Sequence, residues 1–274
     1  QVGSNCGAIG QHSIKYVNGA VYWMGESGGF FVYDGTVKSL PCQVEDFVFT
    51  NKGDNLGVNY QNGESVYVGL NHLYEELTWF YPKSGSSFND RSVTYNYQSG
   101  TWTTGSLART TWADANLYDV PYATEFTSTA TPSFPVIQGV TNVNGSTIYY
   151  AHESGVDQVD TAGNKTAIPA FIESGDFSLN IEGNAEVFMS MRRFVPDFKL
   201  IQGNAQITIQ LRDFPSDTEA SSPLGPFTVS SSTDKVDTRA RARFASLKIA
   251  NTSTDENWRF GTFRADVQPD GMRG

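Results

Sequence analysis

Short apolar and aromatic runs, separated by turns that contain glycine, recur along the first 170 residues. The first unit, SIKYVNGAVYWMGESGGFFVYDG, places Asn18-Gly19 and Asp34-Gly35 after strand-like runs. Such pairs favour tight hairpins because the turn positions need positive φ. A second unit runs through SVYVGL, LTWFYP and SVTYNYQSGTWTTG, and a weaker third runs from STIYYAHESG to FIESGDFSL. Small antiparallel sheets that recur every roughly 40–60 residues are typical of β-propeller blades, with a β-sandwich as the alternative architecture.

Residues 171–274 carry longer strand-like runs, which are EVFMSMRRFVPDF, AQITIQLRDF, TRARARFASLKIA and WRFGTFRADV. In the second run Ile207, Ile209 and Leu211 alternate with polar residues, and this period of two predicts a half-buried strand. The pattern therefore predicts an all-β fold, with partial, β-propeller-like antiparallel sheets in residues 1–170 and a β-sandwich-like region in residues 171–274. Three blades do not close a ring, and the chain begins with Gln1 rather than Met, so we expect an N-terminal portion to be missing.

The last two runs predict one long C-terminal hairpin with a bend. Three arginines, Arg239, Arg241 and Arg243, fall on one face of the first strand, and small residues fall on the other. Past Phe244 the alternation reverses its phase, and a second reversal follows Gly261 in the partner strand. Because both reversals lie at similar distances from the loop ANTSTDEN, they predict a bulge or bend in both strands. The two ends of the hairpin are then expected to lie in different environments.

Composition excludes several classes of protein. Aromatic residues make up 13% and charged residues only 18% of the chain, a balance that opposes disorder and favours strands. The sequence has no run of about 20 apolar residues, so it predicts no membrane-spanning segment. Cys6 and Cys42 are too few for a disulfide scaffold. We expect two unpaired buried thiols, with a single bridge between them as the alternative.

The formal net charge of -10 is unevenly distributed. Residues 1–170 hold 7 Lys or Arg against 15 Asp or Glu, whereas residues 171–274 hold 12 against 14. The second part is nearly neutral and its arginines are clustered. This contrast predicts a domain boundary near residue 170.

The clustered arginines have two interpretations. A row of arginines contacts phosphates in nucleic-acid grooves, but arginine also forms bidentate bonds with carboxylates of the same chain or of a neighbouring subunit. The acidic chain and its many nearby Asp and Glu residues favour the second interpretation. We therefore predict interface residues without specific nucleic-acid recognition, namely Arg239, Arg241, Arg243, Arg259 and Arg264.

Catalytic and metal-binding signals are weak. The GESGG motif around Ser27 resembles a nucleophile motif, but a strand follows it where the esterase motif needs a helix, so it predicts a hairpin turn. The histidines His12, His72 and His152 do not occur in a zinc pattern. Adjacent acids such as Glu75-Glu76 face opposite ways on a strand and do not form a glycosidase pair by themselves. We predict no catalytic, cofactor-binding or metal-binding residue.

Several segments, in this order, resemble the C-terminal half of the tail nozzle (tail hub) proteins of short-tailed bacteriophages, also called packaged-DNA stabilisation proteins or tail tubular protein B. They are GAIGQHSIKYVNGAVYWMGESGGFFVYDG, LTWFYPKSGSSFNDRSVTYNYQSGTWTTGSLART, IYYAHESG, MRRFVPDF and TRARARFASLKI…WRFGTFRADVQPDGMRG. The resemblance implies a non-enzymatic virion protein that is assembled in the host cytoplasm. It also implies a hexameric ring beneath the portal and adaptor that carries tail fibres or tailspikes. Double-stranded DNA would be its cargo, contacted without sequence recognition.

Two alternatives remain open. One is a glycan- or receptor-binding β-propeller that uses exposed aromatic residues such as Trp79, Trp102 and Trp112, although Trp102 fits a blade-packing role better. The other is a carbohydrate-active propeller enzyme that uses carboxylates facing a central funnel.

Overall fold

The computed structural model describes residues 3–50, 57–115, 118–127, 146–160, 162–179, 187–214, 217 and 223–272. Strands and turns make up nearly all of this part of the chain, which confirms the prediction of an all-β fold. The chain divides into two compact units, residues 1–154 and residues 155–274. The compositional boundary near residue 170 falls inside the second unit. None of the helices in the described ranges has the length and hydrophobicity that a bilayer-spanning helix requires.

Two four-stranded antiparallel sheets form most of the first unit, and in each the strands follow one another in chain order. The first sheet consists of β1 (Ile14–Val17), β2 (Ala20–Met24), β3 (Phe30–Tyr33) and β4 (Val37–Leu40). The second consists of β5 (Tyr67–Asn71), β6 (Glu76–Tyr81), β7 (Arg91–Asn96) and β8 (Thr101–Gly105). Between β1 and β2, Asn18 and Gly19 have φ of 50° and 85°, which confirms the predicted hairpin turn.

A third sheet and three short helices complete the first unit. The sheet contains β9 (Thr111–Ala113), β10 (Tyr122–Thr127) and β11 (Ser146–Ala151) in the order β11-β10-β9, and the helices are η1 (Gln11–Ser13), α1 (Glu45–Phe49) and η2 (Tyr60–Ser65). The weaker third unit of the sequence is therefore not one sheet. Its STIYYA segment is β11, whereas its later strands lie in the second unit. Alternation identifies a strand but not its partner, because pairing depends on contacts that are distant in sequence.

Aromatic rings form the core of the first unit. Phe30, Trp79 and Trp102 come from β3, β6 and β8, and the ring centroid of Phe30 lies 4.9 Å from that of Trp79 and 4.5 Å from that of Trp102. The indole nitrogen of Trp79 donates to the carbonyl oxygen of Ser13, and that of Trp102 donates to Pro41, over 2.9 Å each. Each fully buried ring contributes about 2–3 kcal/mol, and its polar edge is satisfied by backbone. The two meanders are thus packed on one another through β3, β6 and β8.

The second unit contains two sheets and a small hairpin. Its strands are β12 (Asp157–Val159), β13 (Lys165–Ala167), β14 (Ala170–Glu173), β15 (Val187–Gln202), β16 (Ala205–Arg212), β17 (Leu224–Val229), β18 (Val236–Ala242), β19 (Phe244–Asn251) and β20 (Asn257–Met272). One sheet has the order β14-β19-β16-β17 and the other the order β18-β15-β20, while β12 pairs with β13. All of these pairings are antiparallel.

The two sheets share one hydrophobic core, as in a β-sandwich. Met191 and Phe194 come from β15, whereas Ile207, Ile209 and Ile249 come from β16 and β19, and all five side chains are fully buried. Along β16 the polar residues between the isoleucines are half-buried, which confirms the predicted alternation.

The predicted C-terminal hairpin is wrong in its pairing. The run TRARARFASLKIA is two strands, of which β18 pairs with β15 and β19 pairs with β14 and β16. β20 pairs with β15 instead of with this run. The phase reversal near Phe244 marks the point where the chain leaves one sheet for the other. Because the inward face of each sheet must point at the shared core, a strand that changes sheet must also change the phase of its alternation.

Candidate interaction surface

An exposed row of arginines lies on β18. Arg239 and Arg241 are exposed, whereas Ala240 and Ala242 are 4% and 2% exposed and face the core. The small alanines allow β18 to lie close over the core of the second unit, and the period of two then places both arginines on the solvent side. This part of the sequence prediction is confirmed.

A bulge in the neighbouring strand adds further arginines to the same face. In β15, Met191 pairs with Val267 of β20 and Arg193 pairs with Asp266, so Arg192 is an extra residue of β15 relative to β20. The pairing of β15 with β18 shifts at the same place, but there the extra residue lies in β18. A bulge turns two successive side chains to one side of the sheet, and Arg192 and Arg193 are both exposed between two buried residues.

A surface cleft of about 470 Å³ lies between these side chains. Three arginines contribute to its walls, together with two aspartates and a serine. They are Arg192, Arg239, Arg241, Asp237, Asp270 and Ser190.

The arginines of the cleft differ in their bonding. Arg241 donates from Nε to Oδ2 of Asp270 over 2.7 Å and from Nη2 to the Asp270 carbonyl over 3.1 Å. Its guanidinium also lies 4.1 Å from the ring centroid of Phe188. By contrast, Arg192 and Arg239 have no ion pair or hydrogen bond from their side chains within the described part of the chain. The cleft therefore presents one arginine fixed by Asp270 and two arginines without a partner among the described residues.

The remaining predicted interface residues lie apart from the cleft. Arg243 connects β18 to β19, and its guanidinium lies over the ring of Phe188 at 5.2 Å and that of Phe214 at 5.5 Å. Arg264 pairs with Asp197 over 2.7 Å. Arg259 lies near the N-terminal end of β20, whereas Asp270 of the cleft lies near its C-terminal end. The structure thus brings together Arg239 and Arg241 only.

Sequence reasoning missed Arg192 and Arg193 as members of this surface. The signal was present in the string MRRF, in which two adjacent charges interrupt a strand between apolar residues. Adjacent charges in a strand require either one buried charge or a bulge, and a buried unpaired charge is costly.

A separate polar cluster is buried in the first unit around Arg109, which is 6% exposed. Its Nε donates to Nε2 of His152 over 2.9 Å, and its Nη1 donates to Oε2 of Glu125 over 3.1 Å. The guanidinium lies 3.9 Å from the ring centroid of Tyr150. Burial, together with the charge of Arg109, lowers the pKa of His152 to about 4. The groups bind one another, which indicates a structural role beside the β9–β11 sheet.

Glu76, which is half-buried, and Glu153, which is exposed, form an acidic pair in the first unit. Burial, followed by the charge of Glu153, raises the pKa of Glu76, and burial also raises the pKa of Glu153. The side-chain amide of Asn71 donates to Glu153 over 3.0 Å. This bond connects the end of β5 to the turn after β11. Perturbed carboxyl groups occur in active sites and in packed polar clusters alike.

The motifs considered as catalytic or metal-binding candidates lie in turns or are part of the packing. GESGG is the turn between β2 and β3, where Met24 pairs with Phe30 and two glycines have positive φ, which confirms the prediction of a hairpin turn. Cys6 and Cys42 are free and half-buried, and burial raises the pKa of Cys42 to about 11. Within the described ranges, no group of three or more His, Cys, Asp or Glu side chains is placed to hold a metal ion.

The tryptophans proposed for glycan stacking lie inside the first unit. Trp79 and Trp102 are 0% and 9% exposed, so their faces are not available to a ligand. Trp112 is half-buried, donates to the carbonyl of Leu70 over 2.8 Å and packs on Phe80. The expectation of exposed tryptophans is wrong because these rings fill the spaces between sheets, and Trp102 has a packing role.

Comparison of the sequence with models of known protein families gives no match, and no curated protein matches it significantly.

Proposed function

We propose that this chain is a structural, non-catalytic component of the tail of a short-tailed bacteriophage. It forms part of a nozzle or hub ring, hexameric as the family resemblance implies, that extends the DNA channel below the portal and adaptor. In this position it retains packaged double-stranded DNA and passes it into the host at ejection. Its partners are further copies of itself, the portal-adaptor proteins and tail fibres or tailspikes. It acts in the virion after assembly in the host cytoplasm.

The exposed arginine face of the second unit is the observation that carries this proposal. The segment on which the resemblance rests most, from TRARARFASLKI to PDGMRG, supplies β18, β19 and β20. Arg239 in this segment is exposed and has no partner within the described ranges. A subunit of a closed ring needs a charged or apolar surface that its neighbour complements.

The two four-stranded meanders support the propeller part of the proposal. In a complete β-propeller each blade is a four-stranded antiparallel meander, and β1–β4 and β5–β8 have this order. The contact of Phe30 with Trp79 resembles the packing of adjacent blades.

The test is the native mass of the intact gene product, with negative-stain images of the same sample, alone and mixed with a portal-adaptor complex. We expect a closed ring, formed alone or on the adaptor. A stable monomer that does not bind the portal-adaptor complex would contradict the proposal.

One observation favours the glycan-binding alternative. Tyr149, which is 45% exposed, stacks on Tyr122 with ring centroids 5.2 Å apart, and Tyr118 meets Tyr122 edge-on at 5.0 Å. Exposed aromatic clusters mark binding surfaces. A glycan array distinguishes the two functions: binding that is lost in Tyr149→Ala supports the alternative, and no binding to any glycan excludes it.

A further inference from the structure

We infer that the cleft between β15 and β18 binds carboxylate side chains of a second copy of this chain through Arg192 and Arg239. The inference rests on the proposed ring, because it assigns a specific contact between neighbouring subunits. It goes beyond the sequence prediction in two respects. It adds Arg192, and it separates the arginines that are open to a partner from those that are already paired.

The geometry identifies which arginines are open. Arg241 is held by two bonds to Asp270 and by the ring of Phe188. Its position is therefore fixed within one subunit. Arg192 and Arg239 flank the same cleft without a partner in the described residues. Asp237, the other carboxylate of the cleft, lies 3.3 Å from the ammonium of Lys235 and 3.7 Å from the guanidinium of Arg193.

A guanidinium offers a planar fork of N–H donors, and its natural partner is a planar carboxylate or a phosphate. The bulge at Arg192, where β15 has one residue more than β20, is the feature that creates the site. In a regular strand Arg192 and Arg193 would point to opposite faces, and only one of them would be near β18 on the solvent side. With the bulge, Arg192 joins the row formed by Arg239 and Arg241.

The charge of the chain favours a carboxylate over a nucleic-acid phosphate. Residues 1–154 hold 6 Lys or Arg against 13 Asp or Glu, and the whole chain has a net charge of -10. Another copy therefore offers many carboxylates that can reach the cleft. The aspartates inside the cleft also oppose a continuous row of phosphates, for which a basic stripe is typical.

A head-to-tail arrangement fits this chemistry. Each subunit would offer its arginine cleft to one neighbour and carboxylates to the other, which is the heterologous contact that closes into rings. The contact uses the guanidinium groups of Arg192 and Arg239, so changing both arginines to glutamate replaces attraction of the partner's carboxylates with repulsion. We expect the dissociation constant between subunits to rise about 100-fold or more.

The experiment compares wild type with the double variant Arg192→Glu/Arg239→Glu. Lys199→Glu is the matched control, because Lys199 is exposed on the same strand β15, lies outside the cleft and has no ion pair in the described residues. Sedimentation velocity and native mass are measured for the full chain over a range of protein and NaCl concentrations. Circular dichroism melting verifies that each variant is folded, as we expect for exposed positions.

Wild type and Lys199→Glu should associate alike, with weaker association at high salt, and the double variant should require at least about 100-fold more protein. A folded double variant that associates like wild type would overturn the inference and leave the ring proposal intact. A wild-type chain that stays monomeric, even with the portal-adaptor complex, would overturn both. Normal association combined with loss of duplex DNA binding, measured by fluorescence anisotropy, would show that the cleft binds phosphate and would also overturn the inference.

Discussion

His152 makes the stability of the first unit depend on pH. Its Nε2 must be unprotonated to accept the hydrogen bond from Arg109 Nε. The pKa of His152 is about 4 in the folded chain, against an ordinary value of 6.5. Between these values the unfolded chain binds a proton that the folded chain does not, so acidification favours unfolding. We predict that the free energy of unfolding falls as the pH is lowered from 6.5 toward 4.

The two pKa values set the magnitude of this loss. From His152 alone, the free energy of unfolding decreases by about 2 kcal/mol between pH 7 and pH 4.5. Glu76 and Glu153 act in the opposite direction. Burial raises the pKa of both, so these carboxylates bind protons at a higher pH in the folded chain than in the unfolded chain. The stability of wild type therefore depends less on pH than the contribution of His152 alone. A variant is needed to isolate the His152 contribution.

The His152→Gln variant supplies this comparison, because glutamine offers Arg109 an acceptor oxygen and does not titrate. Urea unfolding followed by tryptophan fluorescence reports mainly on the first unit, which holds four of the five tryptophans. Between pH 7 and pH 4.5, wild type should lose about 2 kcal/mol more than the variant. Equal losses in the two proteins would refute the argument that burial and Arg109 keep this imidazole neutral.

Two further predictions test the packing of the first unit by thermal unfolding. Trp79→Phe should cost about 1–3 kcal/mol, because it removes part of a fully buried ring and leaves the Ser13 carbonyl without its donor; a melting temperature equal to that of wild type would contradict this. Gly69→Ala should cost about 1–3 kcal/mol, because the new Cβ would lie 2.6 Å from Cγ of Trp112. Gly175→Ala, whose Cβ would meet no atom within 4 Å, is the control and should change stability by less than about 0.5 kcal/mol, so equal effects of the two alanines would refute the steric argument.

The sequence was sufficient to predict the features that depend on neighbouring residues. The Asn18-Gly19 turn follows from the positive φ that both positions require. The alternation of Ile207 and Ile209 with polar residues identifies the inward face of β16. The exposure of Arg239 follows from the same period of two. In each case the information lies within a few residues, so one strand or turn can be interpreted without its partners.

Features that depend on distant contacts could not be predicted in this way. β9 and β10 carry short, mixed runs such as TWA, which have no clear alternation, and they are strands because they pair with each other. The burial of Trp79 depends on rings from two sheets that are separated by dozens of residues. One of the three arginines of the cleft was missed for the same reason, since Arg192 reaches it only through the register shift between β15 and β20.

The two irregularities that shape the arginine surface look alike in sequence and differ in structure. At Arg192 the alternation changes phase, but β15 continues beside β18 and β20, so the irregularity is a bulge within one sheet. Near Phe244 the alternation also changes phase, but the partners change from β15 to β14 and β16, so the chain passes from one sheet to the other. Only pairing distinguishes the two cases. Both are required for the surface, because the change of sheet ends the arginine row at β18, and the bulge places Arg192 beside it.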